Sequence, residues 1–478
     1  MNDLDLNQPA PQFEGISAEA QALIDQLWSL VAAQAKRIEQ LENRDAANSR
    51  TSSRPPSSDD AKARAERRGK TRSGRAKGGQ VGHKGHYRAR VEAVDEFKRY
   101  EPPSHCSCGG EIELDEDPIH QHQVFDLPRV RAQVTEHQVY AGVCCRCGRR
   151  HRGQLPEAVA GGQMGAGLRA DIALMNSHYR LSLRQLQRYL HSRWDLHFSL
   201  GALSAAQQPV SEWLAAPYEQ IGAWLRQQPQ LHADETVHYH HSSRFWLWTM
   251  CSAKAAYFRI HPGRGKLAAR ELLGDYQGVL NTDRYAAYND YSNRQLCWAH
   301  VIRNLEQIAR RQGMAGVLGK RLVRLARLVI RVVHHRQRGY LSASAYQRRL
   351  QRLRQTLRQQ LQQGSAYAHL PKTQHQCQAL LQQEALLWTF LNDPSIPLTN
   401  NLAEQALRSY VIWRKTSFFT QSVRGMRFRE RILSVTDTAE RLGLNTFELL
   451  RQICCEGIRG DPITVRLPLP EVKTAQPC

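Results

Sequence analysis

The feature that most constrains the fold is a series of short strand-like runs between residues 229 and 288. The runs "QLHADETVHYHH", "RFWLWTMCSA" and "AAYFRI" are rich in β-branched and aromatic residues and are separated by turn residues, as is typical of strands. A helical pattern follows in "KLAARELLGDY", and "GVLNTDRYAAY" predicts a further strand that ends in an acid. Three strands, a helix and a fourth strand outline a ribonuclease-H-like sheet.

Three acids are candidates for a site on this sheet. In a ribonuclease-H-like sheet the first and fourth strands lie side by side, so Asp234 and Asp283 would face each other. The third acid must come from a helix packed against the sheet. Glu404 lies on the helical stretch "NNLAEQALRSYV", with Asn400 or Asn401 as the N-cap residue.

Glu404 stands alone among basic residues, because the 25 residues that follow it contain no other acid. Taken alone, this pattern favours an i,i+4 salt bridge between Glu404 and Arg408. The two matching acids on predicted strands favour a metal ligand instead. We assign Asp234 to the metal rather than its neighbour Glu235, which points to the opposite face of an extended strand.

Three convergent carboxylates repel one another unless hard cations lie among them. Mg²⁺ accepts a site of few carboxylates, waters and substrate phosphate oxygens. We therefore predict two Mg²⁺ (or Mn²⁺) ions per active site, which would activate a water or a 3′-hydroxyl and stabilise the leaving oxygen. Such a site can cut a DNA strand and join the 3′ end to a target without a covalent intermediate.

Several blocks of the chain resemble a known family. The stretches "HADET", "TDRYAAY", "CWAHVIRNL" and "TNNLAEQALRSYVIWRKTSFFTQSVRG" are similar to the corresponding blocks of the insertion-sequence sixty-six family of DDE transposases. Upstream, "NSRTSSRPPSSD", "GGQVGHKGH" and "HQVFDLP" resemble the linker and zinc-region blocks of that family. The resemblance covers most of residues 20–440.

The resemblance implies a DNA transposase with catalytic residues Asp234, Asp283 and Glu404, working in the bacterial cytoplasm at the nucleoid. It implies insertion-sequence ends and target DNA as substrates, and accessory transposition proteins as partners. The DNA-binding residues that we predict after the third acid are Arg408, Arg414, Lys415 and Arg424. Cys297 and His300 belong to a block that the family carries, and we predict that they line the site without assigning them a role.

A helical insertion is predicted between Asp283 and Glu404, which are separated by 120 residues. From Gln307 to Gln383 the chain has no acid and 15 arginines and lysines. The stretches "GKRLVRLARLVIRVVHHRQR" and "QRRLQRLRQTLRQQLQQ" are amphipathic and basic. They predict a DNA clamp or a synapsis surface, or a solvated helical face.

The N-terminal region carries an a/d pattern followed by a basic stretch. Ile24, Leu27, Val31, Gln34, Ile38 and Leu41 are spaced as in a coiled coil, which predicts a homo-oligomer, or else one amphipathic helix docked on the body. Between Arg50 and Arg90 there are 13 basic residues and three acids. We predict that this stretch is disordered when free and contacts phosphates, or is a solvated linker.

Paired cysteine knuckles predict a structural zinc site. The stretches "HCSCGG" and "CCRCG" each place two ligands three residues apart, and a β-rich stretch separates them. Free thiols in a small β subdomain are the alternative. The Zn²⁺ ligands that we predict are His105, Cys108, Cys144 and Cys147, with Cys106 or Cys145 as possible substitutes.

The region between the knuckles and the strands is helical. In "LSLRQLQRYLHSRWDLHFSLGALSAAQQPVSEWL", Leu183, Leu186 and Leu190 share a face, the pattern breaks near Ser199 to Gly201, and it resumes at Leu203. A helix-turn-helix and a plain helical hairpin both fit this pattern.

The net charge of the chain indicates which class of partner it binds. The chain of 478 residues has a formal charge of +22 and a pI near 9.8, which favours a polyanion such as nucleic acid. Neither an 18-residue apolar window nor a secretory signal occurs, so we predict a cytoplasmic protein without a membrane partner. A non-catalytic DNA-binding or assembly protein and a structure-specific nuclease of the same fold are the alternatives to a transposase.

We thus expect a multidomain α+β chain with a ribonuclease-H-like (retroviral-integrase-like) α/β core and a helical insertion. The predicted segments are a coiled-coil helix (1–48), a basic linker (49–95), a zinc-binding β subdomain (96–153), a helical DNA-binding region (154–225), the catalytic domain (226–440, with the insertion at about 307–385) and a C-terminal segment (441–478).

Overall fold

The computed structural model describes residues 10–13, 15–45, 88–127 and 131–471. The chain divides into two compact units, of which residues 61–133 form the smaller one and residues 1–60 with 134–478 the larger one. The predicted zinc-binding subdomain of residues 96–153 straddles this division. Most of the predicted basic linker, residues 49–87, lies outside the described residues.

The larger unit is a mixed α/β structure in which helices predominate. In chain order, its elements are α1 (Ala18–Asp45), β1 (Ala141–Val143), β2 (Arg150–Arg152), α2 (Glu157–Ala160), α3 (Ala166–Ser177), α4 (Leu183–Trp194), α5 (Leu200–Ala205), α6 (Gln207–Trp213), α7 (Ala215–Arg226), β3 (Gln230–His240), β4 (Ser243–Cys251), β5 (Ala256–His261), α8 (Lys266–Leu273), β6 (Val279–Thr282), β7 (Arg294–Leu296), α9 (Trp298–Ala309), α10 (Gly313–Gln337), α11 (Ala343–Ser365), α12 (Pro371–Gln382), α13 (Asn401–Ser417), α14 (Val423–Arg441) and α15 (Thr446–Arg459). Among the described residues, no helix has the length and apolarity needed to cross a membrane.

The smaller unit is irregular between residues 88 and 127. The side chain of Gln123 accepts from the N–H of Val91 at 3.0 Å and donates to its carbonyl at 2.8 Å. The guanidinium of Arg88 lies 3.6 Å from the ring centroid of Phe125. The prediction of a β-rich stretch between the knuckles is wrong for the described residues, because residues 113–127 and 131–140 contain no strand.

Helix α1 leaves its apolar seam in solvent. Leu27 is 53% exposed and Val31 is 49% exposed, with Leu23 and Leu30 exposed beside them. Ile38 and Leu41 lie outside the part of the chain whose side chains are described. Exposed leucines at these positions fit self-association better than docking on the body, and the oligomer stays a prediction.

Helices α3, α4 and α5 enclose a small core of their own. Leu186 and Leu190 of α4 pack with Leu203 of α5 and with residues of α3. Helix α4 begins at a capping box, in which the Ser182 hydroxyl accepts from the N–H of Gln185. The break between α4 and α5 covers residues 195–199, slightly before the predicted position at Ser199 to Gly201, and the pair is present as two consecutive helices.

The main sheet has five strands in the order β5-β4-β3-β6-β7. Strand β3 pairs antiparallel with β4, which pairs antiparallel with β5. On its other side β3 pairs parallel with β6, and β6 pairs parallel with β7. The sheet is therefore mixed, and in its parallel half β6 ends beside the middle of the longer strand β3.

Strand β7 is an element that the sequence did not predict. It is only three residues long, and two of them, Arg294 and Gln295, are polar although they are 3% and 0% exposed. The amide of Gln295 donates to the carbonyl of Leu387, and its oxygen accepts from the N–H of Phe390. Because these buried residues are polar and make specific hydrogen bonds, the sequence shows no apolar pattern that would indicate a strand.

Helix α14 covers the edge strand β5 with side-chain acceptors. The N–H groups of Ala256, Phe258 and Ile260 donate to Thr438, Ser434 and Glu430 at 3.1, 2.9 and 2.6 Å. The acceptors recur every four residues along the helix, a rise of about 6.0 Å. The donors recur every two residues along the strand, a rise of about 6.6 Å. Because the two repeats match, the helix satisfies backbone N–H groups of β5 that would otherwise be free to pair with another strand.

The insertion consists of α10, α11 and α12, with a core that includes Leu322, Leu350 and Leu361. It packs on α9 so closely that a Cβ at Gly319 would lie 2.2 Å from the backbone nitrogen of Ala309. Its solvent face is basic. The exposed arginines of α10 and α11 include Arg321, Arg324, Arg331, Arg348, Arg349, Arg352 and Arg358.

Candidate active site

The parallel pair of β3 and β6 brings two of the predicted acids to neighbouring positions, where β6 ends beside β3. Its register pairs His232 with Asn281, and Asp234 and Asp283 each lie two residues beyond that pair. Both aspartates keep part of their surface exposed. An oxygen of Asp234 accepts from the N–H of Glu235 at 2.9 Å.

The third acid comes from the first turn of α13, which packs against β3 and β4. Asn400 occupies the N-cap position, but its side chain makes no capping hydrogen bond. An oxygen of Glu404 accepts from Arg303 of α9 at 3.3 Å and lies 3.6 Å from Nδ1 of His300. The alternative partner predicted for Glu404, Arg408, is exposed.

The electrostatics of the aspartates reflect burial and like charges. Burial, then the negative charges of Glu235 and Asp283, raise the pKa of Asp234 well above its ordinary value, and Glu404 adds to the effect. Burial also raises the pKa of Asp283, against the hydrogen bond from the N–H of Tyr285, which lowers it. Mutual repulsion of this kind is relieved by a cation, so this donor set of carboxylates fits Mg²⁺ or Mn²⁺.

Glu235 lies on the other face of β3. Its side chain is 1% exposed. One oxygen accepts from Nη2 of Arg264 at 2.8 Å, and the other accepts from the hydroxyl of Tyr288 at 2.7 Å. Arg264 is itself held between the rings of Trp246 and Tyr285. Glu235 is therefore engaged in structural hydrogen bonds on that face.

Asn400 ties the elements that carry the three acids. Its Nδ2 donates to the carbonyl of Ala233 at 2.8 Å, and its Oδ1 lies 3.0 Å from Nδ1 of His232. Its backbone N–H donates to Sγ of Cys297 at 3.2 Å. The N–H of Cys297 in turn donates to the carbonyl of Thr282 at 2.9 Å. Asn400 is 0% exposed, so this network is shielded from water.

Cys297 and His300 lie beside Asn400 and Glu404. Cys297 is the N-cap residue of α9, and His300 lies one turn later, facing Glu404. Burial, with a smaller contribution from the charge of Arg303, lowers the pKa of His300 to about 4, so its ring is neutral at pH 7. Burial raises the pKa of Cys297.

The basic residues predicted to bind DNA are not equivalent. Arg408, Lys415 and Arg424 are exposed. Arg414 instead donates to Oγ1 of Thr236 at 3.1 Å and to the carbonyl of Val237. Its guanidinium is therefore engaged with β3.

The histidine run "VHYHH" indicates surface or DNA-facing residues, and for His238 this interpretation is wrong. His238 is 0% exposed. Its Nδ1 contacts the hydroxyl of Tyr410, and its Nε2 lies 2.8 Å from Oγ1 of Thr420. The strand alternation was correct, but the face that carries His238 is covered by α13.

The two cysteine knuckles each contain a tight turn. In the smaller unit the N–H of Gly109 donates to the carbonyl of Cys106 at 2.9 Å, and the φ of Gly109 is 90°. In the larger unit the N–H of Gly148 donates to the carbonyl of Cys144 at 2.9 Å, and the φ of Gly148 is 68°. Each glycine adopts the left-handed conformation that the turn needs. His105, Cys108, Cys145 and Cys147 lie on these turns and are exposed.

Sequence reasoning missed two residues of the site. Asn400 was considered only as a helix cap, although its side chain ties β3 to α13. Arg303 was not singled out, although it lies three residues after His300 and therefore on the same helix face. The spacing of Arg303 from His300 was the available signal. For Asn400 the sequence offers none, because its partners on Ala233, His232 and Cys297 lie more than 100 residues away along the chain.

Parts of the chain are similar to known proteins and families. A model described as the transposase IS66 family matches residues 161–428, a span that includes all three acids, and a model of a family of unknown function matches residues 8–89. An uncharacterized protein of Sinorhizobium fredii, y4jD, is 22% identical over 61% of this chain, which spans 62% of that relative. Another from the same organism, y4qI, is 24% identical over 79% of this chain and 74% of its own length.

Proposed function

Because the chain belongs to the IS66 family of transposases, we propose that it is a DNA transposase that cuts insertion-sequence ends and joins them to target DNA. The observation that carries the proposal is the placement of Asp234 and Asp283 where β3 pairs with β6, with Glu404 on the helix that packs against β3, close enough for their negative charges to interact. We call this group the three-carboxylate site. The strand order with β3 central supports a ribonuclease-H-like core.

In this proposal the three carboxylates hold two Mg²⁺ or Mn²⁺ ions. When bound, such ions supply Lewis acidity that activates a water or a 3′-hydroxyl and stabilises the leaving oxygen of an in-line displacement. The protein side chains contribute position and charge. Arg303 balances the charge of Glu404, and the Asn400 network holds the acid-bearing elements in register.

The DNA backbone would lie along the exposed basic residues. Arg408, Lys415 and Arg424 extend from α13 to the start of α14, and the basic face of α10 and α11 adds a further surface. Phosphate contacts of this kind give affinity that falls with salt and carries no sequence information. The proposal also includes Zn²⁺ in the cysteine knuckles, an oligomer formed through α1, and accessory transposition proteins.

The test is cleavage and joining of DNA that carries the ends of the element, in Mg²⁺ and in chelator. Asp234→Asn is compared with Glu235→Gln, which changes the neighbouring acid on the opposite face. We expect the wild type and Glu235→Gln to cut and join in Mg²⁺, and Asp234→Asn to bind DNA without cutting. Cutting without joining would support a nuclease, and DNA binding without cutting by the wild type would support an assembly protein.

A further inference from the structure

Three metal-ligating side chains meet beside the three-carboxylate site. The Sγ of Cys297, a ring nitrogen of His300 and a carboxylate oxygen of Glu404 all lie within 4.8 Å of one another. The Nδ1 of His300 is 3.6 Å from Oε1 of Glu404. Two ligands of a tetrahedral zinc ion, each bound at about 2.0–2.3 Å, are separated by about 3.3–3.6 Å. Small side-chain rotations would therefore bring all three atoms to ligand distance.

The fold presents these donors from two elements. Cys297 precedes α9 and His300 lies in its first turn, so both project toward the start of α13, which carries Glu404. Cys297 is 1% exposed. The Nδ1 of His300 is buried and has no hydrogen-bond partner among the described residues. A buried ring nitrogen without a partner costs free energy, and it is directed at the carboxylate of Glu404.

The surroundings of the sulfur suit a metal ligand. The N–H of Asn400 donates to Sγ of Cys297 at 3.2 Å, an interaction that stabilises negative charge on the sulfur. Hydrogen bonds of this kind orient ligands and tune their basicity in metal sites. Metal binding would release the thiol proton to water and would displace Arg303 from Glu404, replacing one positive partner of the carboxylate by another.

We propose that Cys297, His300 and Glu404 form a site for a thiophilic divalent cation such as Zn²⁺, distinct from the cysteine knuckles. Thiolate and imidazole donors favour Zn²⁺ and Co²⁺ over Mg²⁺. Three protein ligands leave a fourth tetrahedral position for water. The site shares Glu404 with the three-carboxylate site, so its occupancy withdraws a ligand from Mg²⁺. This last consequence, inhibition of cleavage by Zn²⁺, rests on the proposed function.

The site itself is tested by titrating the full chain with Co²⁺ and recording the sulfur-to-cobalt charge-transfer absorbance. Wild type is compared with Cys297→Ser. The knuckle cysteines are the same in both proteins, so their contribution cancels in the difference. We expect Cys297→Ser to bind one Co²⁺ fewer and to lose part of the thiolate absorbance. Cys377→Ser, which changes another fully buried cysteine, is the matched control and is expected to titrate like wild type.

Two further variants keep the test decisive if Cys297→Ser does not fold. Glu404→Gln changes a partly exposed side chain, and His300→Gln replaces the imidazole. Each should weaken the affinity of this Co²⁺ by at least about tenfold. Equal stoichiometry and affinity in wild type and all the folded variants would overturn the site. Such a result would leave the transposase proposal intact, because cleavage in Mg²⁺ is measured separately.

Discussion

The side-chain amide of Asn400 donates to the carbonyl of Ala233 at 2.8 Å, one residue before Asp234. The backbone carbonyl of Asn400 accepts from the N–H of Glu404 at 3.2 Å. One buried residue thereby joins the strand that carries the first acid to the helix turn that carries the third. Through Cys297 the same residue reaches Thr282, next to Asp283.

Asn400→Ala should therefore impair the site without removing a metal ligand. It leaves the carbonyl of Ala233 and the ring of His232 unpaired, which costs about 1–3 kcal/mol for each buried group. We expect a lower free energy of unfolding in urea, and less cleavage per folded molecule that is partly rescued by higher Mg²⁺. Asn401→Ala, at an exposed position, should change stability by less than about 0.5 kcal/mol. Unaltered cleavage and Mg²⁺ dependence in Asn400→Ala would refute the positioning role.

Two exposed residues after the third acid should govern salt-dependent DNA binding. The double variant Lys415→Ala with Arg424→Ala removes two phosphate contacts, and each contributes about 0.9 to the slope of log affinity against log salt. We expect weaker binding to any duplex and a slope that is smaller in magnitude by about 2. The measurement is fluorescence anisotropy at several salt concentrations. Arg459→Ala with Arg466→Ala, two exposed positions near the C-terminus, is the control; an equal effect there would argue against this surface.

Glu430 predicts a pH dependence of stability. Burial raises its pKa from 4.5 to about 7. Between these pH values the folded chain keeps a proton that the unfolded chain releases, so the free energy of unfolding falls as the pH rises through this window. Glu430→Gln still accepts from the N–H of Ile260 but cannot ionise. We expect the decline between pH 5 and 7 to be smaller in Glu430→Gln by roughly 1–3 kcal/mol; parallel curves from urea denaturation would refute it.

Helix α1 should mediate self-association. Leu27→Lys places a charge at a d position of the predicted seam, where it would be buried between helices at a cost. We expect a smaller oligomer in sedimentation velocity. Ser29→Lys adds the same charge at an exposed position outside the seam and should leave the oligomer unchanged. An identical sedimentation coefficient for wild type and Leu27→Lys would exclude a coiled coil through this seam.

Much of the sheet was predictable because β3 and β4 are long, contain β-branched and aromatic residues and are separated by a clear turn. The family was predictable from ordered blocks, and the matching family model confirms it. The short strand β7 escaped because Arg294 and Gln295 are polar and their burial depends on partners far away in sequence. The burial of His238 was not predicted, because the alternation of side chains along β3 identifies the face on which a residue lies but does not say which helix covers that face.

The candidate site likewise has a part that the sequence predicted and a part that it could not predict. The expected ribonuclease-H-like arrangement placed the strands of Asp234 and Asp283 side by side, and β3 does pair with β6. The approach of Glu404 to His300 and Arg303 could not be predicted from spacing, because Arg303 and Glu404 are 101 positions apart in the sequence, with the insertion between them. Contacts across such a distance depend on tertiary packing rather than on local pattern.

The most direct test of the three-carboxylate site is cleavage of element-end DNA in Mg²⁺ by Glu404→Gln, with DNA binding measured in parallel. Glu219→Gln, an exposed acid on α7, receives the same substitution as a control. The account predicts that Glu404→Gln binds DNA as wild type does and loses cleavage by a factor of about a hundred or more, while Glu219→Gln keeps it. Cleavage by Glu404→Gln at the wild-type rate would contradict the account.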